Sequence, residues 1–380
     1  MKKLLALILL SCIYQFTMAK PFDLNSKEFP IGVYSADPPT AENFAYLKSI
    51  GVNYVHSYGM GHGNVEDEKR TKDFLDLAEK NGLKVMVNLM GRIWVKKTNG
   101  ADELRKFIRK FKNHPAVGFW YLYDEPKAKN LAALRKLYSM LKQESPLIPV
   151  ALVTPWIEEW KSFQEVYDIL MVDLYPVKDK KFPNSPVNLL TKFTNEAIAL
   201  GKPVIAVPQM FNWKIYPNQV KGYDIKKLRY PNAIEIRYWN YYTLAAGGRG
   251  LFYYSFYHAF KNDPEWVKKV FAKEIKEARR FIELTAPANK PVAFKRAEDD
   301  NYKMAIWTRE NGEFLVLINN WPLARPKVKR WTENMIVGAE LIPWGSTRNV
   351  KAKIDNGKLI IDEKINPWEV FVWKVKRIIK

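Results

Sequence analysis

One pattern repeats along the chain from about residue 30: a short apolar strand, a loop, an amphipathic helix and often a glycine before the next strand. This alternation predicts a parallel sheet, because parallel strands need long crossover connections, which are usually helical. Eight units in one run favour a closed (β/α)₈ barrel, whose usual size is ~250 residues. The predicted strands are Ile31–Ser35, Asn53–Tyr58, Lys84–Met90, Val117–Tyr123, Pro149–Thr154, Ile169–Tyr175, Pro203–Met210 and Gly250–Phe256.

The open, doubly wound sheet is the alternative architecture for such a pattern. It normally has about six strands and a glycine-rich first turn that holds phosphate groups. The first turn here, Tyr34–Pro39, contains no glycine. An α/β fold with a (β/α)₈ TIM barrel is therefore the predicted class.

The pattern changes after about Ala288, where only short strand-like segments follow. Turn signals such as Asn311-Gly312 and Asn356-Gly357 separate them. This spacing is typical of all-β domains. The predicted organisation is a barrel domain over residues 28–288 and a small C-terminal β-sandwich domain over residues 289–380.

The N-terminus has the pattern of an export signal. Lys2 and Lys3 supply positive charge, Leu4–Phe16 is mostly apolar, and Ala19 is a small residue at the expected cleavage point. This predicts a signal peptide over residues 1–19 and a protein exported to the periplasm or secreted. The alternative is a lipoprotein anchored through Cys12. No later stretch has the ~18 apolar residues of a transmembrane segment.

Cys12 is the only cysteine, so a processed chain has none. It would form no internal disulfide, no cysteine-based zinc site and no cysteine nucleophile. His56 and His62 lie on a glycine-containing loop rather than on one face of a helix, which is a weak metal signal. No phosphate-binding loop or dinucleotide motif is present, so neither a metal nor a cofactor is expected.

The chain is strongly basic, with a formal net charge of +21. Such a field attracts nucleic acid, acidic glycans or anionic surfaces. The basic residues are scattered along the chain, however, and no nucleic-acid-binding motif is present. We therefore expect no nucleic-acid partner.

Barrel enzymes place their sites at the C-terminal ends of the strands. The residues that follow the predicted strands combine carboxylates with aromatic rings. Cleavage of a glycosidic bond needs a proton donor and a second group for the developing positive charge, and two carboxylates in different environments supply both. The catalytic candidates are Glu125, Asp124 and Asp173, and the substrate-binding candidates are Tyr175, Gln209, Tyr254, His56, Trp94 and Trp213.

The segment Asp124-Glu125-Pro126 at the end of strand four resembles the Asn-Glu-Pro motif of a large clan of TIM-barrel retaining glycosidases that includes cellulases and β-galactosidases. The resemblance covers the layout of the barrel, about two-thirds of the chain. It implies a glycoside hydrolase that cleaves an extracytoplasmic polysaccharide or glycoconjugate. It also implies Glu125 as acid/base and Asp124 at the sugar 2-position. The expected partner is a carbohydrate, and the basic charge is compatible with an anionic one.

The sequence departs from this clan on strand seven, where the clan has a nucleophilic Glu and this chain has Gln209. An amide cannot form a glycosyl-enzyme ester. Asp173 is the first candidate for the second carboxylate, as in barrel glycosidases with carboxylates on strands four and six. A second option is that Asp124 orients a 2-acetamido group of the substrate as nucleophile. The third is an inactive glycan-binding protein.

Structural roles are the alternatives for every candidate. The pair Asp124 and Glu125 could cap the following helix. Asp173 could be a structural acid at a strand end, and Gln209 could make a hydrogen bond within the barrel. His56 could be a buried barrel histidine, and the tryptophans could belong to the core.

Overall fold

The computed structural model describes residues 28–60, 65–89, 94, 96, 98–285, 293–296, 302–309, 312–324, 328–331, 339–355 and 358–377. The predicted signal peptide, Cys12 and His62 lie outside the described residues. None of the described helices is long and apolar enough to cross a membrane.

Eight parallel strands form a closed barrel, as the sequence predicts. The ladders are shorter than the predicted strands, because the residues at the C-terminal ends leave the ladder and form the loops that carry the candidate site. The strands are β1 Ile31–Val33, β2 Tyr54–Val55, β3 Lys84–Asn88, β4 Val117–Asp124, β5 Val150–Val153, β6 Ile169–Asp173, β7 Val204–Val207 and β8 Gly250–Tyr253.

Helices surround the barrel and connect its strands. Gly51, Gly82 and Gly201 follow three of them with φ of 98°, 64° and 87°, the left-handed conformation that ends a helix. The last helix follows Pro264–Trp266 and the π-helical turn Val267–Phe271. The helices are α1 Ala41–Ser49, α2 Val65–Lys80, α3 Gly100–Phe111, α4 Leu131–Glu144, α5 Ile157–Phe163, α6 Asn188–Ile198, α7 Ala233–Ala246, α8 Phe256–Asn262 and α9 Ala272–Thr285.

Aromatic side chains fill the barrel interior. Tyr54 and Phe119 stack with ring centroids 5.2 Å apart, and Phe119 also contacts Phe252. Gly32 leaves the space that the Phe252 ring occupies, since a Cβ there would lie 2.1 Å from the ring. The interior is thus a packed core, as in other barrels of this size, and a binding site must lie at the open end.

The C-terminal region forms two antiparallel sheets, as the predicted β-sandwich requires. The strands are β9 Ala293–Arg296, β10 Tyr302–Arg309, β11 Gly312–Asn319, β12 Val328–Trp331, β13 Ala339–Pro343, β14 Ala352–Asp355, β15 Lys358–Ile361 and β16 Val370–Arg377. The five-stranded sheet has the order β13-β16-β11-β10-β9, and the three-stranded sheet has the order β12-β15-β14. Strand β12 was not predicted from the sequence.

The five-stranded sheet packs on α7 and α9 of the barrel. Eleven of the 14 residues of α7 are buried, which an amphipathic helix facing solvent would not show. Phe281 of α9 contacts Trp307 and Phe314 of the sheet, with centroids 5.2 and 5.5 Å apart. The barrel and the sheets therefore share one apolar interface.

A buried ion pair supports this interface. Arg237 of α7 contacts Glu277 of α9, and its guanidinium also donates to Thr347 Oγ1 at 3.1 Å. Glu277 accepts a hydrogen bond from the Ser346 backbone N–H at 2.7 Å. One carboxylate thus binds a helix of the barrel and a loop of the C-terminal sheets.

Removal of the Glu277 charge should strongly destabilise the protein. Glu277→Gln leaves the Arg237 charge buried without its partner, and we expect the free energy of unfolding to fall by about 3 kcal/mol or more. Urea unfolding followed by circular dichroism measures it. Glu340→Gln, which removes an exposed pair with Lys376, should cost less than about 1 kcal/mol. Equal losses in the two variants would contradict the structural role of Glu277.

Candidate active site

Asp124 and Glu125 lie at the C-terminal end of β4, where the barrel opens. Asp124 is the last residue of the strand, and Glu125 is exposed at the mouth. The next helical turn begins only at Ala128, after Lys127 as its N-cap. The alternative in which Asp124 and Glu125 cap the following helix is therefore wrong, because both lie before the cap position.

The backbone of Glu125 is strained. Its φ is 49°, in the left-handed region that residues other than glycine rarely adopt. Ser35, at the same end of β1, has φ of 50°. Such conformations persist where the surrounding structure fixes them, and they are concentrated at functional sites. At Glu125 this conformation directs the chain away from the ladder as β4 ends.

An irregularity in β4 brings Tyr121 to Asp124. Residues three apart on a regular strand point to opposite faces, but the register between β4 and β5 shifts between Tyr121 and Tyr123. The Tyr121 hydroxyl consequently donates to Asp124 Oδ1 at 2.8 Å. Tyr121 thus holds Asp124 in place from inside the barrel.

Asp173 ends β6 and is only 6% exposed. The Tyr175 hydroxyl donates to its Oδ2 over a long 3.4 Å, and its Oδ1 is buried without a partner of standard geometry within the described chain. The Glu125 carboxyl is near enough to act electrostatically on Asp173. A structural acid at a strand end would normally have its oxygens satisfied.

The surroundings of the two carboxyls raise the pKa of both. Burial, and then the negative charges of Glu125 and Asp124, raise the pKa of Asp173 well above its ordinary value. The pKa of Glu125 is also raised, first by desolvation and then by Asp124, while the interaction with Asp173 and the charge of Lys127 oppose this. Both acids therefore favour the protonated form more than an exposed carboxyl does.

Tyrosine rings form the wall around the acids. Tyr175 and Tyr254 stack at 5.4 Å, and Tyr34 and Tyr58 stack at 6.1 Å. Tyr216 reaches the group through a hydroxyl–hydroxyl contact with Tyr254. Burial first, and then the charge of Asp124, raise the pKa of Tyr58 well above its usual value, so it stays a neutral donor. The structure therefore brings the candidates Tyr175 and Tyr254 to the acids.

His56 lies beneath this wall, fully buried. Its ring contacts Tyr34, Tyr58 and Tyr121 edge-on at 4.8, 4.5 and 5.4 Å. Neither ring nitrogen has a hydrogen-bond partner within the described chain, and burial lowers the His56 pKa to about 3. A neutral imidazole without access to solvent is packed as an aromatic ring and lies behind the surface that a substrate would contact.

Gln209 is fully buried at the end of β7, and its amide is engaged by the backbone. Its Oε1 accepts from the Val177 N–H at 2.9 Å, and its Nε2 donates to the Val177 and Phe211 carbonyls at 2.8 and 2.9 Å. The structure thus gives Gln209 the hydrogen-bonding role within the barrel. The amide joins the loop after β6 to the end of β7 and does not face the site.

The two tryptophan candidates lie in different places. Trp94 is 1% exposed and its indole N–H donates to the Leu89 carbonyl, so it is part of the core and presents no face to a sugar. Trp213 is 9% exposed and lies beside Tyr175, with centroids 6.4 Å apart. Only Trp213 belongs to the rim of the site.

Sequence reasoning missed the tyrosines at positions 34, 121 and 216. Tyr34 follows β1 directly, and its position at the C-terminal end of a strand is the signal that marks it as a candidate. Tyr121 was hidden by the register shift, which no sequence pattern marks. Tyr216 lies in a long loop after β7, whose path depends on tertiary contacts.

Among the described residues, no three His, Cys, Asp or Glu side chains are arranged to hold a metal ion.

Comparison with known proteins supports the resemblance drawn from the sequence. The family model described as "Glycosyl hydrolases family 2, TIM barrel domain" matches residues 74–221, less than half of the chain. This segment contains β4, β6 and all three acids. The sequence matches none of the curated proteins with which it was compared.

Solved structures of glycoside hydrolases share the whole fold. One described as "Glycoside hydrolase" superposes with a TM-score of 0.62 at 13% identity, covering 92% of this chain and 93% of its own. A glycoside hydrolase family 5 protein from Bacteroides vulgatus gives 0.59 at 13% identity, covering 92% and 89%. An α-amylase from Geobacillus thermoleovorans gives 0.59 at 9%, covering 94% and 100%. The barrel with its C-terminal sheets is thus a glycoside-hydrolase-like fold.

The buried acid predicts a stability that falls as the pH rises. Above the unfolded-state pKa of ~3.9 the unfolded chain releases the Asp173 proton, whereas the folded chain retains it up to the raised pKa. Asp173→Asn removes this term. We expect the difference in unfolding free energy between Asp173→Asn and wild type to be small at pH 4 and to favour the variant at pH 8.

Asp224→Asn is the matched control, because the hydrogen bond from Lys227 lowers the Asp224 pKa. Loss of a carboxylate with a lowered pKa should change the stability in the opposite direction as the pH rises above the unfolded-state pKa. A difference between Asp173→Asn and wild type that does not change from pH 4 to pH 8 would show that the Asp173 pKa is not raised.

Proposed function

We propose that this protein is a glycoside hydrolase in which Glu125 is the general acid and Asp173 the second carboxylate. The observation that carries the proposal is the placement of Glu125 at the end of β4 and of buried Asp173 at the end of β6, at the C-terminal mouth of the barrel, with the pKa of each raised. Two carboxyls in different environments can supply the proton donor and the second group that glycosidic cleavage requires. The tyrosine wall supports it, because apolar ring faces can cover the C–H faces of a sugar.

In this scheme protonated Glu125 donates its proton to the glycosidic oxygen, and the leaving group departs as an alcohol. Ionised Asp173 stabilises the positive charge that develops on the sugar, and this charge favours the ionised form of Asp173, since opposite charges at close range lower the pKa of an acid. A water molecule then attacks the anomeric carbon, and one of the two carboxylates accepts its proton.

Asp124 has a supporting role in this scheme. Its charge raises the pKa of Glu125, and the Tyr121 hydroxyl fixes its orientation. The same orientation suits the alternative in which Asp124 aligns a 2-acetamido group of the substrate.

An inactive glycan-binding protein is the second alternative. The presence of Gln209 in place of a strand-seven carboxylate supports it. The export pattern in Met1–Ala19 supports action outside the cytoplasm.

Substitution of Glu125 tests the acid. Glu125→Gln keeps the shape and removes the proton donor, so hydrolysis of a natural glycan should fall about 10²–10⁴-fold. An aryl glycoside with an acidic phenol as leaving group should retain much more activity, because this phenolate departs without protonation. Reducing-end release and phenolate release by purified, folded protein measure the two reactions.

Glu158→Gln is the control, because Glu158 is an exposed acid on α5 at the same end of the barrel. Its activity should stay near that of wild type. If folded Glu125→Gln hydrolyses a natural glycan as fast as wild type does, Glu125 is not the acid. If wild-type protein binds glycans and cleaves none of them, the glycan-binding alternative replaces this proposal.

Asp124→Asn separates the two hydrolytic routes. If Asp124 only supports the Glu125 pKa, the loss should be similar on substrates with a 2-hydroxyl and with a 2-acetamido group. If it orients an acetamido nucleophile, the loss should fall on 2-acetamido substrates, and Asp173→Asn should then be the milder variant. Ratios of kcat/KM on matched aryl glycosides decide between the routes.

A further inference from the structure

The loops around the proposed site carry lysines that lie on aromatic rings. Lys127, two residues after Glu125, has its Nζ 3.6 Å from the ring centroid of Trp156. Lys178, five residues after Asp173, has its Nζ 4.7 Å from Trp213 and 4.5 Å from Tyr223. The two lysines thus lie on the loops that follow the strands bearing the acids, and their aromatic partners lie on the loops after β5 and β7.

Each cluster contains one aromatic ring that is open to solvent. Trp156 and Tyr223 are each 38% exposed and are among the few large hydrophobic side chains at the surface of the described chain. Exposed aromatic rings beside a carbohydrate site are natural platforms for a sugar face. A lysine on each ring adds a positive charge at the same place.

The two ammonium groups lack the usual partners of surface lysines. Within the described chain, no carboxylate lies within 4.0 Å of Lys127 Nζ or Lys178 Nζ. Lys178 instead donates to the Tyr223 hydroxyl at 3.1 Å. Nearby Lys227, in contrast, pairs with Asp224 at 2.8 Å. The charges of Lys127 and Lys178 thus remain available to a ligand.

Gln209 fixes the position of the Lys178 cluster. Its amide holds the backbone N–H and carbonyl of Val177, the residue before Lys178. Trp213 is held to the same loop, because its indole N–H donates to the Tyr175 carbonyl at 3.2 Å. This preorganisation of the loop lowers the entropy cost of binding an anion.

The surrounding loops add to the positive field. Residues 174–187 and 208–232, which follow β6 and β7, contain eight Lys or Arg and two Asp, a net charge of +6. The base of the site carries the opposite sign, with Asp124, Glu125 and Asp173. A neutral glycan would gain nothing from the cationic rim, whereas negative charges on flanking sugars would be attracted to it and kept away from the acids.

We propose that the Lys127–Trp156 and Lys178–Trp213–Tyr223 clusters are subsites for acidic sugars, and that the substrate is an anionic glycan. Each cluster binds a carboxylate or sulfate through the lysine and a ring face through the aromatic side chains. This proposal rests on the proposed function for the place of the scissile bond. The anion preference itself is a property of binding.

Binding measurements therefore test it independently of hydrolysis. The probes are polygalacturonate, alginate and hyaluronan with their carboxyl-reduced forms, and chondroitin sulfate and heparin with their desulfated forms. Calorimetry on the full-length Glu125→Gln protein, which is expected not to consume the probe, gives the affinities. At least one of the anionic glycans should bind, and the removal of its carboxylates or sulfates should weaken binding at least about tenfold. If carboxyl reduction weakens binding, the recognised anion is a carboxylate; if desulfation weakens it, the anion is a sulfate.

Lysine variants locate the subsites. Lys127→Met and Lys178→Met keep an aliphatic side chain on the ring and remove the charge. Each should weaken binding of the anionic probe about fivefold at low salt and leave binding of its neutral form unchanged. Lys178→Arg should restore binding. Lys136→Met is the control, because Lys136 is exposed on α4 without an ion pair within the described chain. Added salt should reduce the effect of the two cluster variants.

Three results would overturn the proposal. They are equal binding of charged and neutral members of every pair, no binding of any anionic probe, and equal losses in Lys178→Met and Lys136→Met. Anion-selective binding without hydrolysis by wild-type protein would instead support these subsites and refute the proposed hydrolase. Hydrolysis of neutral glycans without anion preference would support the proposed hydrolase and refute these subsites.

Discussion

Two acids, Asp173 and Glu125, lie at the mouth of the barrel, and their surroundings raise the pKa of both. Asp173 is buried among tyrosines, where a charge is costly, and Glu125 is placed beside it by a strained turn at the end of β4. The raised pKa of Asp173 follows from this burial first and from the adjacent acids second. Such a site lowers stability at neutral pH, and a chain that only had to fold would have no reason to keep it.

The barrel makes this arrangement possible by bringing strands four and six to one open end. Parallel strands present their C-terminal ends on the same side, so acids distant in the chain meet without any local signal. The interior below them is a packed aromatic core in which His56 is neutral and without a hydrogen-bond partner in the described chain. The acids therefore lie above a packed aromatic floor, whose low polarity strengthens electrostatic interactions between them.

The sequence predicted what depends on periodicity and on strand ends. Eight strands, their order and the positions of Glu125 and Asp173 follow from alternation and from the rule that sites lie at one end of a barrel. It did not predict Tyr121 as the partner of Asp124, because the register shift in β4 reverses the face on which the side chain lies. Nor could composition distinguish buried Trp94 from Trp213 at the rim, since a loop tryptophan is placed by tertiary packing.

Gln209 connects the chemistry of the site to its specificity. A carboxylate at this position would be desolvated, and it could not donate to the Val177 and Phe211 carbonyls as the amide does. The amide therefore fixes the loop after β6, and with it Lys178 on its aromatic platform. In this chain the end of strand seven supports the rim, and strand six carries Asp173, which we propose as the second carboxylate. A Glu in place of Gln209 would then add no nucleophile unless the loop moved, and would loosen the cationic cluster that we propose as a subsite.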